Sequence, residues 1–409
     1  MTDAAEDVRP KAPVPGALAD IKVLELGSML AGPFVGSMLA DFGADVIKVE
    51  KPGKPDALRE WPPHKDGQPL WWKTTSRGKR LVTLDISKPE AREVAMQLIA
   101  RSDIVIENFK PGTLERWGFD PAVLRERMPR TVWVRVSGFG QSGPYRERGG
   151  YATVAEGFSG LASFTGFPDR GPMVSAFPLG DYLAGLFGAY GAMVALHNRS
   201  HTGLGQVVDV SLYEPLLRII ESVVVRYDQT GAGKPRIGNQ MEEDVPRNIY
   251  ATADGGHIAI SCGSQRIFDN LADAMGRPEL KTDARFTSMA QRVVHRDAID
   301  GIVADWMRLQ PTDVAVDTLE SHQVVAGVIH DISQVLTHPH VVAREAVATL
   351  FDETLGAMRM PAPVPRLSDT PGQIRWTGRD SGFHNDEVFG EMLGLNAAER
   401  QSLVKAGII

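Results

Sequence analysis

The chain has 409 residues, 43% hydrophobic and 23% charged, with a formal net charge of −7. That is ordinary for a soluble globular protein with room for more than one core, and the acidic balance gives no reason to expect a nucleic-acid partner. The single cysteine, Cys262, excludes an internal disulfide framework and any multi-cysteine metal site, and suits a reducing cytoplasm.

Residues 1–17 are rich in Ala, Pro, Asp and Glu and lack an apolar stretch, so they read as a flexible tail rather than a signal peptide. Residues 21–26 have strand character, residues 34–42 a helical pattern that Gly43 stops, and residues 44–50 strand character again. That is a βαβ unit, and it implies a parallel sheet with a right-handed crossover. The alternation continues with strands at 80–85, 103–107 and 131–137 and helices at 88–101 and 121–127. A doubly wound α/β domain is expected.

Residues 183–199 form an apolar helix with many small side chains, among them Gly185, Gly188 and Gly191, which allow close backbone packing. A strand at 207–212, a helix at 214–229 and a glycine-rich stretch at 231–239 follow. The character then changes to a hairpin at 248–261 turning at Asp254-Gly-Gly256, with helices near 265–275 and 291–309. The expected division is a tail at 1–17, a large domain at 18–205, a linker at 206–240, a small α+β domain at 241–325 and a return to the large domain at 326–409. No run of about 18 apolar residues occurs, so no membrane partner is expected.

Gly138-Phe-Gly-Gln-Ser-Gly143 matches GxGxxG after a strand, but a polar, glycine-broken stretch follows where a dinucleotide site needs a helix. These read as loop glycines, and nicotinamide chemistry is disfavoured. No Walker A motif or GxSxG elbow occurs. His197 and His201, like His338 and His340, read as structural, and Cys262 as a buried core thiol. Short basic groups at Lys48/Lys51/Lys54 and Arg77/Lys79/Arg80 suit a small anionic ligand. Asp181, in Phe177-Pro-Leu-Gly-Asp-Tyr-Leu-Ala-Gly185, reads by position as a helix N-cap. A carboxylate among glycines also has the chemistry to attack an acyl carbonyl.

The segments LADIKVLELGSMLAGPFVGSMLADFGADVIKVEKPG, RGKRLVTLDI, DIVIENFKPGTLERWGF, VSGFGQSGP, PLGDYLAGLFGAYGAMVALHNR, TGLGQVVDVSL and HNDEVFGEMLGL occur in this order from about residue 18 onward. Together they resemble the class III CoA-transferase family (CaiB/BaiF type), which includes formyl-CoA:oxalate and carnitine CoA-transferases. The resemblance implies a CoA thioester as substrate, no tightly bound cofactor, and Asp181 as the nucleophile that carries acyl and then CoA. It further implies that Met29 and Leu30 line the CoA site, with Leu30 standing where formyl-CoA transferase has Gln. Lys51 and Leu84 would meet the nucleotide end, Asn108, Phe109, Lys110 and Arg116 the pantetheine and phosphates, and Tyr151 the thiol end. An interlocked cytoplasmic homodimer is implied, with the large domain drawn from both chain ends, and succinyl-CoA as a first donor to try. The related α-methylacyl-CoA racemase needs a histidine that would align within Gly150-Tyr-Ala152, where none stands. A non-catalytic CoA-binding protein is the other alternative.

Overall fold

The computed structural model describes residues 15–409, so residues 1–14 of the expected tail lie outside the described residues. The chain divides into two compact units, one of Met1–Ser159, Ser175–Glu221 and Ala343–Ile409, the other of Gly160–Val174 and Ser222–Val342.

The first unit is built on six strands: β1 (Lys22–Glu25), β2 (Asp45–Glu50), β3 (Arg80–Thr83), β4 (Ile104–Glu107), β5 (Val132–Ser137) and β6 (Val207–Ser211). Their order is β3-β2-β1-β4-β5-β6, with every neighbouring pair parallel. Every residue of β4 and β5 is buried, as the strands of a sheet covered on both faces must be. The order reverses between β1 and β4, so this is the doubly wound arrangement expected from the alternation. In such sheets ligands bind beyond the carboxyl ends of the strands at the reversal.

Helices of this unit include α1 (Ala31–Asp41), α2 (Arg92–Ala100), α3 (Ala152–Phe158) and α4 (Leu179–Thr202). By length and composition α4 would suffice to cross a membrane, but it packs on α1, β5 and β6. Its glycines set that approach. A Cβ on Gly185 would stand 2.9 Å from the Ala31 carbonyl oxygen, and one on Gly191 2.5 Å from Val208 Cγ1. Gly185→Ala gains about 1 kcal/mol of helix propensity, but overpacking against backbone costs about 1–3 kcal/mol. A net loss of about 1 kcal/mol is expected in urea unfolding, because the Ala31 carbonyl cannot swing aside as a side-chain end does.

The far end of the chain closes the β3 edge. Leu81 N–H donates to His384 Nδ1 and His384 N–H to the Leu81 carbonyl, both at 2.9 Å, and Thr83 N–H donates to Asn385 Oδ1 at 2.9 Å. An edge strand left bare is a template for wrong pairing, and these bonds satisfy it. Val388, Phe389, Ile408 and Ile409 then join the core that holds Val82, Leu98 and Trp133.

In the second unit β7 (Arg247–Ala251), β8 (His257–Ser261) and β9 (Ala326–Val328) form an antiparallel sheet in the order β9-β8-β7. Gly255 takes φ +84° in the expected hairpin turn. Helices bring Phe268 and Val303, and the turn before Met289 brings Phe286, into one core with Tyr250 and Ile258. Cys262 is fully buried in this core, and burial pushes its thiol up to about 12, so it stays protonated and unreactive at neutral pH.

Two helices read as continuous are broken. Residues 214–229 become Glu214–Ile219 and Glu221–Thr230, and residues 291–309 become Met289–Val294 and Arg296–Met307. Residues 206–240, read as a linker, thus carry β6 and two helices before their irregular glycine-rich end. Around the GxGxxG match, Gly140 and Gly143 have φ +87° and +82°, and no helix begins until Ala152. Both observations fit loop glycines.

Candidate active site

The cavity lies where the sheet order reverses. Beyond β1 the chain runs through Gly27, Ser28, Met29 and Leu30 before α1 begins. Asn108, just after β4, brackets this loop: its Oδ1 accepts from Ser28 N–H and its Nδ2 donates to the Ser28 carbonyl, both at 2.8 Å. Gly27 makes this possible, since a Cβ there would stand 2.7 Å from Asn108 Oδ1.

A buried ion network supports the same loop from below. Lys48 Nζ lies 3.1 Å from Glu25 and 2.9 Å from Asp56, and donates to the Gly27 carbonyl at 2.8 Å. Lys79 Nζ lies 2.8 Å from the other Glu25 oxygen and donates to the Pro33 carbonyl at 2.6 Å. Asp56 in turn accepts from Met29 N–H at 3.0 Å. Met29 sits at φ +65°, a conformation that costs a non-glycine residue about 1–2 kcal/mol unless its surroundings hold it. Burial opposes the charge on Lys48, but Asp56, Glu25 and Glu50 outweigh it and raise its pKa above the usual lysine value. Lys79 is less compensated. Burial, with repulsion from Lys48, outweighs Glu25 and brings it down to about 8.

A cavity of about 360 Å³ opens above this loop. It gathers Met29, Leu30, Asn108, Phe109, Lys110, Tyr151 and Asp181 from the sequence-derived set. A second cavity, of about 350 Å³, is lined by Lys51 and Leu84 and shares Phe109 with the first. A third, of about 530 Å³, holds Arg116 and shares Lys110. All ten residues therefore border three cavities with common walls. Leu84 is buried, Phe109 meets Trp117 edge-on at 5.1 Å, and Arg116 donates to Thr113 Oγ1 at 2.9 Å. Lys51 already pairs with Asp85 at 3.1 Å, while Tyr151 is 72% exposed.

Asp181 corrects one expectation. The helix starts earlier than its small-residue pattern suggested, directly after Pro178, so Asp181 is its third residue and not its cap. Pro178 has the cap position, and no side chain bonds there. The Asp181 carboxylate has no hydrogen-bond or ion-pair partner among the described residues. Burial alone pushes its pKa up to about 6, although a helix N-terminus favours negative charge. Desolvation wins.

That shift has a stability consequence. The folded state holds the Asp181 proton up to about pH 6, whereas the unfolded chain releases it near 3.9. Ionisation of Asp181 therefore removes stability as pH rises through that window. With partial solvent access discounted, Asp181→Asn is expected to be more stable than the parent by about 1–2 kcal/mol at pH 8. The gain should shrink toward zero at pH 4, as read by urea unfolding at both values.

Glu25 and Asp56 have no part in the sequence-derived set, and Lys48 and Lys79, expected among basic groups suited to a small anionic ligand, are instead buried in ion pairs with these two acids. Glu25 and Lys48 did carry a signal, as charged residues inside otherwise apolar strands, where burial demands a partner. Asp56 sits in a loop and carried none. Trp61 and Arg148, which also line the first cavity, had no distinguishing pattern either. His197 and His201 both lie on α4 with rings 4.7 Å apart. Among the described residues no group of three His, Cys, Asp or Glu has metal-binding geometry.

Comparison with known proteins agrees in extent and in fold. Residues 18–385 match the family described as CoA-transferase family III. The chain is 44% identical to succinyl-CoA–D-citramalate CoA-transferase of Chloroflexus aurantiacus, over 93% of this chain and 95% of that one. It is 36% identical to the succinyl-CoA–L-malate CoA-transferase alpha subunit of Chloroflexus aurantiacus, over 96% of this chain and 92% of the relative. The crystal structure of a CaiB/BaiF family protein from Brucella suis superposes with a TM-score of 0.82 at 31% identity, covering 93% of this chain and 100% of that one. A match of this length, carried by both sequence and fold, identifies the chain as a member of CoA-transferase family III, of the CaiB/BaiF type.

Proposed function

We propose that the protein transfers CoA from an acyl-CoA, with succinyl-CoA as donor, to a carboxylic acid acceptor through covalent intermediates on Asp181. The observation that carries this reading is the unpartnered, partly desolvated Asp181 carboxylate in the wall of the first cavity. A poorly solvated carboxylate is a better nucleophile than one held by hydrogen bonds.

The chemistry balances without water or an external proton. An Asp181 oxygen attacks the thioester carbonyl, the carbon–sulfur bond breaks, and an acyl-aspartyl anhydride and CoA thiolate result. The thiolate attacks the aspartyl carbonyl, giving an aspartyl-CoA thioester and releasing the donor acid. The acceptor carboxylate attacks that thioester, forming a second anhydride and freeing the thiolate again. Thiolate attack on the acceptor's carbonyl yields the new acyl-CoA and restores the carboxylate. Each return is effectively unimolecular while CoA stays bound. The Gly180 and Asp181 N–H groups, in the first turn of α4 and without partners among the described residues, are available donors for the oxyanions. The second and third cavities are where the nucleotide and phosphates of CoA belong in this reading. The relatives' names favour succinyl-CoA as donor and a 2-hydroxy dicarboxylic acid as the first acceptor to try. The homodimer belongs to the same proposal: Tyr190, Met193 and Val194 on α4 are exposed apolar side chains that a second copy would cover.

The test is incubation with succinyl-CoA and malate or citramalate, following the new CoA ester by chromatography. Hydroxylamine added to the donor alone should leave a hydroxamate at Asp181, detectable by mass spectrometry. Because the nucleophile must be ionised, kcat/KM should rise with pH and level off above about 6. A flat profile from pH 4.5 to 8 would contradict the assignment of Asp181.

A further inference from the structure

Three charged side chains line the first cavity: Asp181, Lys110 and Arg148. Lys110 also borders the third cavity, beside Arg116, whereas Arg148 borders the first one only. Arg148 has no ion-pair partner among the described residues. Its guanidinium stacks on the Tyr145 ring at 3.6 Å, and the Arg148 backbone N–H donates to the Tyr145 carbonyl at 2.8 Å. Stacking holds the plane of the fork and leaves the in-plane N–H groups free, the geometry that suits a bidentate carboxylate. Its backbone is also held close. The following loop presses on the end of β5, where a Cβ on Gly150 would stand 2.7 Å from the Gly138 Cα.

Arg148 does not serve as the partner of Asp181, whose carboxyl is perturbed by burial and by no neighbouring cation. The cavity therefore holds a nucleophilic carboxylate and, apart from it, an anchored cation without a counter-ion. An aliphatic acyl group offers that cation nothing. An acyl group ending in a second carboxylate matches both.

We infer that Arg148 forms the subsite for the distal carboxylate of dicarboxylic substrates, selecting dicarboxylic over monocarboxylic acyl groups in the Asp181 cavity. This rests on the function proposed above and adds to it the residue that reads the acyl chain. Donor and acceptor occupy the same cavity in turn, so one cation serves both half-reactions.

The experiment compares succinyl-CoA with butyryl-CoA, which match in chain length and differ in the terminal carboxylate. Donor kcat/KM is measured for the parent, Arg148→Met and Arg148→Lys with one fixed acceptor, and binding of both thioesters is measured by calorimetry in an Asp181→Asn background. The parent is expected to prefer succinyl-CoA. Arg148→Met should cut that preference by about tenfold or more, the usual scale for a hydrogen bond to a charged group. Arg148→Lys should keep a good part of it, and butyryl-CoA should bind all three proteins alike. An unchanged preference in Arg148→Met overturns the subsite. So does an equal loss for both thioesters, which would assign Arg148 to CoA itself, or a parent without preference. If the parent transfers nothing but calorimetry shows the Arg148-dependent preference, the transferase reading fails and the subsite stands. If it binds neither thioester, both fail.

Discussion

Asp181→Ala is expected to lower kcat for CoA transfer by about 10³-fold or more, the scale of loss when a covalent nucleophile is removed. No neighbouring group among the described residues is hydrogen-bonded to Asp181 and ready to take over. Steady-state transfer from succinyl-CoA measures the loss, and the hydroxylamine adduct should vanish with it. The fold should not suffer, because the native carboxylate caps nothing and its ionisation works against stability at neutral pH. A well-folded variant within tenfold of the parent would remove the covalent mechanism. Activity and stability pull in opposite directions at this residue, as expected of a site that keeps a charge poorly solvated in order to use it.

Lys48→Met should have the largest effect on stability. Removing one member of a buried ion network leaves its partners uncompensated, at about 3–5 kcal/mol. That is a large part of the roughly 5–15 kcal/mol that separates most folded domains from their unfolded chains. The lower half of the range is expected here. Lys48 repels Lys79 and helps bring it down to about 8, so without Lys48 the remaining lysine stays charged at neutral pH and still pairs with Glu25. Among the described residues Asp56 has no such second cation within salt-bridge reach and becomes the stranded charge. Urea unfolding of Lys48→Met and of Lys48→Met with Asp56→Asn separates the two contributions, since the double variant should recover part of the loss. Asp56 also holds the Met29 N–H. Succinyl-CoA affinity should therefore fall in Lys48→Met even at temperatures where the protein stays folded.

Much of this was legible in the residues. The β1–α1–β2 unit could be read because a parallel strand buried on both faces is a short apolar run, and the helix between them ends at a glycine, Gly43, with φ +103°. The small-residue stripe of α4 could be read as close packing, and the contacts of Gly185 and Gly191 bear that out. The start of α4 could not. Pro178 and Gly180 are poor helix formers on either side of Leu179, and only in the folded chain does Gly180 lie so near Ala152 that a Cβ would stand 3.1 Å from the Ala152 Cα. Asn108 was read as a ligand contact by resemblance, while its amide bonds to Ser28 across 80 residues of chain, a pairing no local pattern reports.

The amino-acid order alone determined the parallel α/β class, the family resemblance and the candidate carboxylate, because hydrophobic period, turn glycines and motif order are local properties of a chain. Tertiary structure decided which charges are buried together, that Asp181 stands unpartnered with its pKa raised, and that Arg148 shares its cavity. Those facts depend on desolvation and on distances between segments far apart in sequence, and neither exists until the sheet has formed.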